Sequence, residues 1–207
     1  MNIEIQQKDE NTSWEELVNL FKESFQERLD QGLNFICSFY TPEELERRSA
    51  NKIVLVATDK DNGNLVGTAT ISIIRKPNKT WAYHSNLAVK PEYKRYGVGT
   101  RLMSEWMRIA ESQGCEYIKS DTAELAASSV SWHKKNGFYP VSLHTYWNAN
   151  YYSIIFRKQL KHHWFWSNPG WCAMRYSIVY TIYKSYRKSD NSLTTIGKLI
   201  FFFKNKR

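Results

Sequence analysis

The 207-residue sequence predicts a mixed α/β fold, an α+β arrangement in which a central mixed sheet is flanked by helices. Apolar stretches rich in β-branched and aromatic residues alternate along the chain with stretches whose apolar residues recur every three or four positions. In order, these stretches predict a strand, two helices, three strands, a helix, a strand, a helix and two strands. An apolar content of 42%, including 15% aromatic residues, is sufficient for a packed core.

The first predicted elements are a short strand and two helices. Residues 1–7 alternate enough for a strand, and Ser13 precedes an acidic first turn that is typical of a helix N-terminus. Helical spacing of apolar residues continues to about Leu29, and Gly32 then interrupts the helix. A second, short helix is expected after Thr41, where a capping residue is followed by proline.

The middle and end of the chain alternate between strands and helices. A turn at residues 61–64 joins two strands into a hairpin, and glycines close both of the later helices. The predicted strands are residues 53–58, 65–75, 81–89, 117–122, 138–147 and 151–160, and the predicted helices are residues 100–113 and 126–136.

Charge separates the chain into two predicted regions. Residues 161–207 carry nine Lys and Arg residues and a single Asp, whereas residues 1–160 carry 20 basic and 19 acidic residues. The overall charge of +9 is therefore a property of the last 47 residues, and it is no argument for DNA binding by the main domain. We expect a domain over residues 1–160 and an aromatic, basic, helical C-terminal extension over residues 161–207.

The remaining composition favours a cytoplasmic protein. The first residues lack the basic-then-apolar layout of a signal peptide, and no apolar run approaches the roughly 18 residues of a membrane span. Three widely spaced cysteines, Cys37, Cys115 and Cys172, are expected to be reduced thiols. The adjacent His162 and His163 lack a nearby third ligand, so we predict no metal site.

The stretch Leu87–Met103 places a basic glycine loop between a strand and a helix. Pro91 ends the strand because proline cannot donate a hydrogen bond to a sheet ladder. Lys94 and Arg95 then precede a Gly-x-Gly sequence at residues 97–99. Glycines allow a ligand to approach the backbone closely, and the N–H groups of a first helical turn attract anions. The loop therefore predicts a site for an anionic group such as phosphate.

The spacing within this loop excludes two common phosphate motifs and resembles a third. It is neither GxxxxGK[ST] nor GxGxxG. The pattern V-x-P-x-x-[KR]-x-x-G-x-G resembles the acyl-CoA loop of the GNAT superfamily of N-acyltransferases; its residues here are Val89, Pro91, Lys94, Gly97 and Gly99. A second segment, residues 127–138, is similar to helix four of that superfamily, which ends in Gly-Phe.

The resemblance covers roughly residues 1–160 and implies a GNAT-like fold with acetyl-CoA as co-substrate. The glycine loop would bind the diphosphate of the coenzyme, and the end of the preceding strand would offer main-chain groups to the pantetheine arm. The implied coenzyme-binding residues are Leu87, Ala88, Val89, Lys94, Arg95, Tyr96, Gly97, Val98, Gly99, Thr100 and Ser128.

The resemblance also suggests catalytic and acceptor residues. Many members carry a tyrosine four residues before the glycine of Gly-Phe, and His133 occupies that position here, so we hypothesise that His133 is the general acid. The strand at residues 81–89 contains no carboxylate, so no base is named; Asp121 and Glu124 are the nearest carboxylates in sequence. Candidate acceptor contacts are Arg28, Phe35, Tyr83 and Ser85, and regular alternation would place Tyr83 and Ser85 on one side with Leu87 and Val89.

Three functions are consistent with these features. The first is an N-acetyltransferase that moves the acetyl group of acetyl-CoA to an amine acceptor. The alternatives are a CoA-binding regulatory module without turnover, favoured by the missing strand carboxylate and the histidine at the tyrosine position, and an RNA-directed acyltransferase. For the extension we expect helices packed on the domain or on a second subunit as a homodimer, with contact to an anionic membrane surface or to RNA as alternatives.

Overall fold

The computed structural model describes residues 2–146, 149–186 and 194–198. The chain forms two compact units, Met1–Lys119 and Ser120–Arg207, and the boundary falls within a strand. This division by internal contacts differs from the predicted boundary at residue 160, which stays a prediction.

The first unit combines antiparallel and parallel strands. Its elements are β1 (Ile3–Gln7), α1 (Trp14–Asp30), α2 (Pro42–Ser49), β2 (Ile53–Asp59), β3 (Asn64–Lys76), β4 (Lys79–Val89), α3 (Val98–Ser112) and the first half of β5 (Tyr117–Ala123). The strand order is β1-β2-β3-β4-β5. Neighbouring strands from β1 to β4 are antiparallel, whereas β5 runs parallel to β4. The mixed α/β sheet flanked by helices is therefore confirmed.

Local sequence signals determine where α1 and α2 begin. At α1 the Glu16 N–H donates to Ser13 Oγ at 3.1 Å, while the Ser13 N–H donates to Glu16 Oε2 at 2.7 Å. This reciprocal capping box satisfies two N–H groups that the helix leaves unpaired. At α2 the Glu44 N–H donates to Thr41 Oγ1 at 3.2 Å, and Pro42 occupies the first helical turn. Both helix starts agree with the sequence prediction.

The core of this unit lies on both faces of the sheet. On one face, α1 and α2 pack against β2 and the end of β4 through Leu17, Val18, Leu20, Phe21, Leu45, Val54, Val56 and Ala88. On the other face, the ring of Trp106 in α3 stacks on His84 at 4.4 Å between centroids. A Cβ atom at Gly67 would lie 3.1 Å from Val98 Cγ1, so glycine at this position allows the start of α3 to approach β3 closely.

A β-bulge interrupts β4 just before the glycine loop. Thr70 pairs with Ser85, but Thr68 pairs with Ala88, so three steps along β4 match two along β3. Asn86 lies within the extra step and has a φ of 54°. Asparagine is one of the few non-glycine residues that adopt this left-handed conformation readily.

The bulge changes which side chains share a face. Thr68 and Thr70 are alternate residues of β3, so their partners Ser85 and Ala88 lie on the same side of the sheet. Leu87 and Val89 consequently lie on the side opposite Tyr83 and Ser85. The prediction that these four side chains share one side is therefore wrong, because an extra residue shifts a two-residue alternation by one.

The second unit contains the end of β5 and the later elements. These are α4 (Ala127–Lys135), β6 (Tyr139–Thr145), β7 (Tyr152–Gln159) and α5 (Pro169–Lys184). The strand order is β5-β7-β6, with β6 and β7 antiparallel, and α5 contacts β6. In the extension that was expected to be helical, residues 195–198 are helical as well, and residues 187–193 and 199–207 lie outside the described residues. Within the described ranges, no helix has the length and apolar character needed to cross a membrane.

Candidate active site

The glycine loop reverses the chain between β4 and α3. A short 3₁₀ turn, Pro91–Tyr93, ends β4, and two residues with positive φ follow it: Arg95 at 73° and Gly97 at 81°. Gly97 is the N-cap of α3, so this helix begins at Val98, two residues before the predicted start. The helix can begin this early because glycine adopts the left-handed conformation without steric cost.

The start of α3 presents main-chain N–H groups to an incoming anion. The first intrahelical hydrogen bond joins the Arg101 N–H to the Gly97 carbonyl at 2.9 Å. The N–H groups of Val98, Gly99 and Thr100 precede that bond and therefore lack an intrahelical acceptor. Glycine offers no capping side chain, and the first turn contains no acidic residue. This end of α3 also carries the positive pole of the helix dipole, which favours phosphate.

Basic side chains of the loop are exposed, and one is paired with α1. Lys94 Nζ lies 3.6 Å from Glu27 Oε2, with both side chains substantially exposed. Arg95 and Thr100 are exposed, as is the ring of Tyr96. Val98, by contrast, is buried, so a ligand at this loop would meet its N–H group rather than its side chain.

The last residues of β4 have main-chain groups directed away from β3. The Lys90 N–H donates to the Val66 carbonyl at 2.9 Å. Because hydrogen-bonded pairs alternate along an antiparallel ladder, the N–H and C=O groups of Leu87 and Val89 point to the opposite edge of β4. In the part of the chain that the structure describes, the parallel ladder with β5 begins at Trp81 and ends at Tyr83. The edge beside Leu87 and Val89 can therefore offer main-chain hydrogen bonds to an extended ligand.

The predicted acceptor residues lie on elements of the first unit. Tyr83 and Ser85 are half-buried on the sheet face that α1 covers, and α1 contacts β4. Phe35 stacks on Phe25 of α1 with ring centroids 5.1 Å apart. Arg28 is half-buried in the last turn of the same helix. An acceptor-binding role for each of these residues stays a prediction.

His133 is buried within the second unit, with 4% of its surface exposed. Its Nδ1 lies 2.8 Å from the Ser129 carbonyl and its Nε2 lies 3.0 Å from Ser120 Oγ. A carbonyl only accepts hydrogen bonds, so we assign the ring proton to Nδ1 and the acceptor role to Nε2. The ring also stacks on Phe156 at 4.5 Å. Burial lowers the pKa of His133 to about 4, although the hydrogen bond to Ser129 opposes this shift.

These contacts bear directly on the general-acid hypothesis. A neutral imidazole whose N–H is bonded to a carbonyl within its own helix is a poor proton donor. The role therefore stays a prediction, and the geometry favours His133 as a residue that fixes α4 against Ser120 of β5. Ser128, predicted to contact the coenzyme, is exposed in the first turn of α4. Within the described ranges, no group of three His, Cys, Asp or Glu residues is arranged to hold a metal ion.

Two features of the site were missed by sequence reasoning. The first is the bulge at Asn86, for which the signal was the asparagine itself, a residue type depleted in strands and tolerant of positive φ. The second is Gly67, which brings α3 close to β3. A glycine within a strand indicates either a bulge or close backbone packing, and here both apply, because the pairing of β3 with β2 also shifts by one residue beside Gly67.

The sequence matches the family model of the acetyltransferase (GNAT) family over residues 14–138. A curated relative is the glucosamine 6-phosphate N-acetyltransferase of Trypanosoma brucei brucei, which is 26% identical over 95 residues. That alignment covers 44% of this chain, and the chain spans 63% of the length of that relative.

Solved structures of low sequence identity share the fold. The PaiA N-acetyltransferase of Thermoplasma acidophilum, in complex with coenzyme A, is 22% identical and superposes with a TM-score of 0.56 over 77% of this chain and 99% of that chain. A GNAT family acetyltransferase of Elizabethkingia anophelis with acetyl-CoA bound is 13% identical, with a TM-score of 0.58 over 77% and 99%. The NatC complex bound to Gag peptide and CoA matches at 14% identity, with a TM-score of 0.61 over 78% and 100%. The family match spans more than half of the sequence and includes the glycine loop, so this chain belongs to the GNAT family of acetyltransferases.

Proposed function

We propose that this protein is an N-acetyltransferase that moves the acetyl group of acetyl-CoA to an amine acceptor by direct attack in a ternary complex. Membership of an acetyltransferase family supports the reaction class. The observation that carries the proposal is the start of α3, where Gly97 with a φ of 81° leaves three N–H groups at the head of the helix. Such a backbone site suits a diphosphate.

Residues of the first unit would bind the diphosphate, the pantetheine arm and the thioester of the coenzyme. Acetyl-CoA supplies an activated thioester together with a diphosphate by which it can be held. The N–H groups of Val98, Gly99 and Thr100 would hold the diphosphate, with Lys94 and Arg95 adding positive charge. The main-chain groups of Leu87 and Val89 would bind the pantetheine arm. A main-chain N–H at the same edge would polarise the thioester carbonyl.

We propose that proton transfer in this reaction uses no dedicated side-chain base or acid. The strand β4 contains no carboxylate, and we propose that the amine loses its proton through water to bulk solvent. The thiolate that leaves has a parent thiol pKa of about 8.5, taking cysteine as a proxy, so water or the attacking amine can protonate it without a dedicated acid. His133 as general acid is the competing assignment, and its burial and paired nitrogens speak against it.

The acceptor is proposed to be a small primary amine. The relative from Trypanosoma brucei brucei is by name an enzyme of glucosamine 6-phosphate, an amino sugar with a phosphate. Tyr83, Ser85, Phe35 and Arg28 would provide two hydroxyl groups, a ring and a cation to such an acceptor. A phosphorylated amino sugar is accordingly the first acceptor to test.

Release of free thiol from acetyl-CoA tests the proposal directly. The panel contains glucosamine 6-phosphate, glucosamine, a polyamine and a peptide with a free N-terminus. We expect thiol release that depends on one of these amines and produces its acetylated form, identified by mass spectrometry. Binding of acetyl-CoA without thiol release across the panel would contradict the enzyme assignment. That result would favour the second candidate, a CoA-binding regulatory module, for which the buried His133 is the supporting observation.

A further inference from the structure

The helix α5 in the second unit packs against β6 and leaves an apolar stripe exposed on its outer side. The stripe consists of Trp171, Met174, Ile178 and Ile182, which are 48%, 50%, 56% and 49% exposed. Their spacing of three, four and four residues places them on one side of the helix. Cys172, on another side, is 1% exposed. The stripe is thus a continuous surface about 16 Å long rather than scattered apolar residues.

Aromatic residues extend this surface beyond the helix. Trp164, in the turn before α5, is 78% exposed, and its ring contacts Phe165 edge-on at 5.5 Å. Phe165 in turn lies 6.0 Å from the ring of Trp171. Tryptophan has an apolar ring with a polar N–H, and it is enriched where an apolar phase meets water.

The part of the sequence that contains the stripe is strongly basic. Residues 161–207 contain nine basic residues and one acidic residue. Arg175 and Lys184 are exposed on α5 itself. A second copy of this chain would bring its own Arg175 toward this face, and that repulsion between like charges opposes self-association. An anionic partner is favoured instead.

We propose that the stripe docks this protein onto an anionic membrane surface. The four side chains of the stripe would enter the boundary between headgroups and acyl chains, while Arg175, which flanks the stripe, contacts lipid phosphates. A nucleic acid is also anionic, but Met174, Ile178 and Ile182 have no ring on which a base could stack. Acyl chains accept these aliphatic groups, so the combination of cations and aliphatic side chains fits lipid.

Co-sedimentation of the full chain with vesicles tests this docking. One vesicle contains phosphatidylcholine alone, and the other contains about 30% phosphatidylserine, which gives it the negative surface of a cytoplasmic leaflet. The variant Ile178→Ser/Ile182→Ser removes half of the stripe without touching the Trp171–Phe165 contact. The matched control is Phe39→Ser, which removes a 63% exposed apolar side chain from the first unit.

We expect binding to the anionic vesicles to exceed binding to the neutral ones, and to fall by at least about tenfold in the double variant but not in the control. Both variants should keep the acetyl-CoA affinity and thermal midpoint of the parent, so loss of docking is separable from loss of the proposed enzyme activity. Equal pelleting with and without phosphatidylserine, no pelleting, or unchanged pelleting of the double variant overturns the proposal. A dimer that the double variant dissociates, or RNA retention that it abolishes, would also overturn it by assigning the stripe to that partner.

Discussion

The glycine loop of the first unit and the surroundings of His133 in the second unit are both sites that the sequence singled out, but they differ in what they are made of. The loop is a backbone site: Gly97 fixes the chain direction, and the available groups are N–H groups. His133 is a side-chain site, and its chemistry depends on burial and on two hydrogen bonds. Backbone sites follow from residue type, whereas side-chain sites depend on what the fold packs around them.

The largest expected effect concerns the pH dependence of stability at His133. Its pKa is about 4 in the folded protein and near 6.5 when unfolded, so the unfolded chain binds the proton more readily. As the pH falls from about 6.5 to 4, this one residue should lower the free energy of unfolding by about 3 kcal/mol. Urea unfolding over this pH range would measure the loss.

The matched variant for that measurement is His133→Gln, which does not titrate in this range and retains a donor and an acceptor. Between pH 6.5 and 4, the free energy of unfolding of this variant should fall less than that of the parent, and the difference should equal the loss assigned to His133. If both proteins show the same pH dependence, the side chain is not held neutral by burial and the contrast between the two sites weakens.

The next effect concerns the left-handed N-cap. Replacing Gly97 with alanine places a Cβ atom where φ is 81°, which costs roughly 1–2 kcal/mol and favours a rearranged helix start. We expect acetyl-CoA affinity to fall about tenfold. Gly114→Ala is the matched control, because Gly114 has a φ of 72° and a Cβ atom there also meets open space. The control should lose similar stability but retain coenzyme affinity; an equal loss of affinity in both variants would show that the effect is general.

A smaller effect on acetyl-CoA affinity is expected from removing the ion pair between Glu27 of α1 and Lys94 of the loop. Glu27 lies 3.6 Å from Lys94 and competes with a diphosphate for that cation. Glu27→Gln should therefore strengthen acetyl-CoA binding by about threefold at low salt, less at high salt, because exposed pairs are worth at most about 1 kcal/mol. Glu23→Gln is the control, since Glu23 pairs with Lys90 at 3.4 Å, ahead of the loop. Weaker binding of the Glu27 variant would contradict this competition.

The smallest expected change is in the turnover of His133→Gln. If His133 fixes α4 and does not donate a proton, kcat with saturating acetyl-CoA should stay within about threefold of the parent, measured on the folded fraction. Loss of an essential general acid would instead lower kcat by about 10²–10⁴-fold. A loss of that size, with the pH profile shifted, would restore the catalytic assignment.

Most of the fold could be predicted from local signals. The capping residues Ser13 and Thr41 and the closing glycines place the helices within about two residues of their observed bounds, which is the usual accuracy of helix ends. The glycine loop was recognisable because proline and glycine restrict the backbone directly. Which side chains of β4 share a face could not be predicted in this way, because the bulge at Asn86 depends on how β4 pairs with β3. The burial of His133 was likewise hidden, since it depends on Phe156 and Ser120, which are distant in sequence.

The most direct test of the central claim compares two ligands by calorimetry. Coenzyme A contains the diphosphate, whereas pantetheine presents the same arm without the diphosphate and without the 3′-phosphoadenosine attached to it. We expect measurable heat with coenzyme A and an affinity for pantetheine that is lower by at least about a hundredfold, because the start of α3 is the principal anchor. Equal affinities for the two ligands, or no heat with coenzyme A, would contradict it.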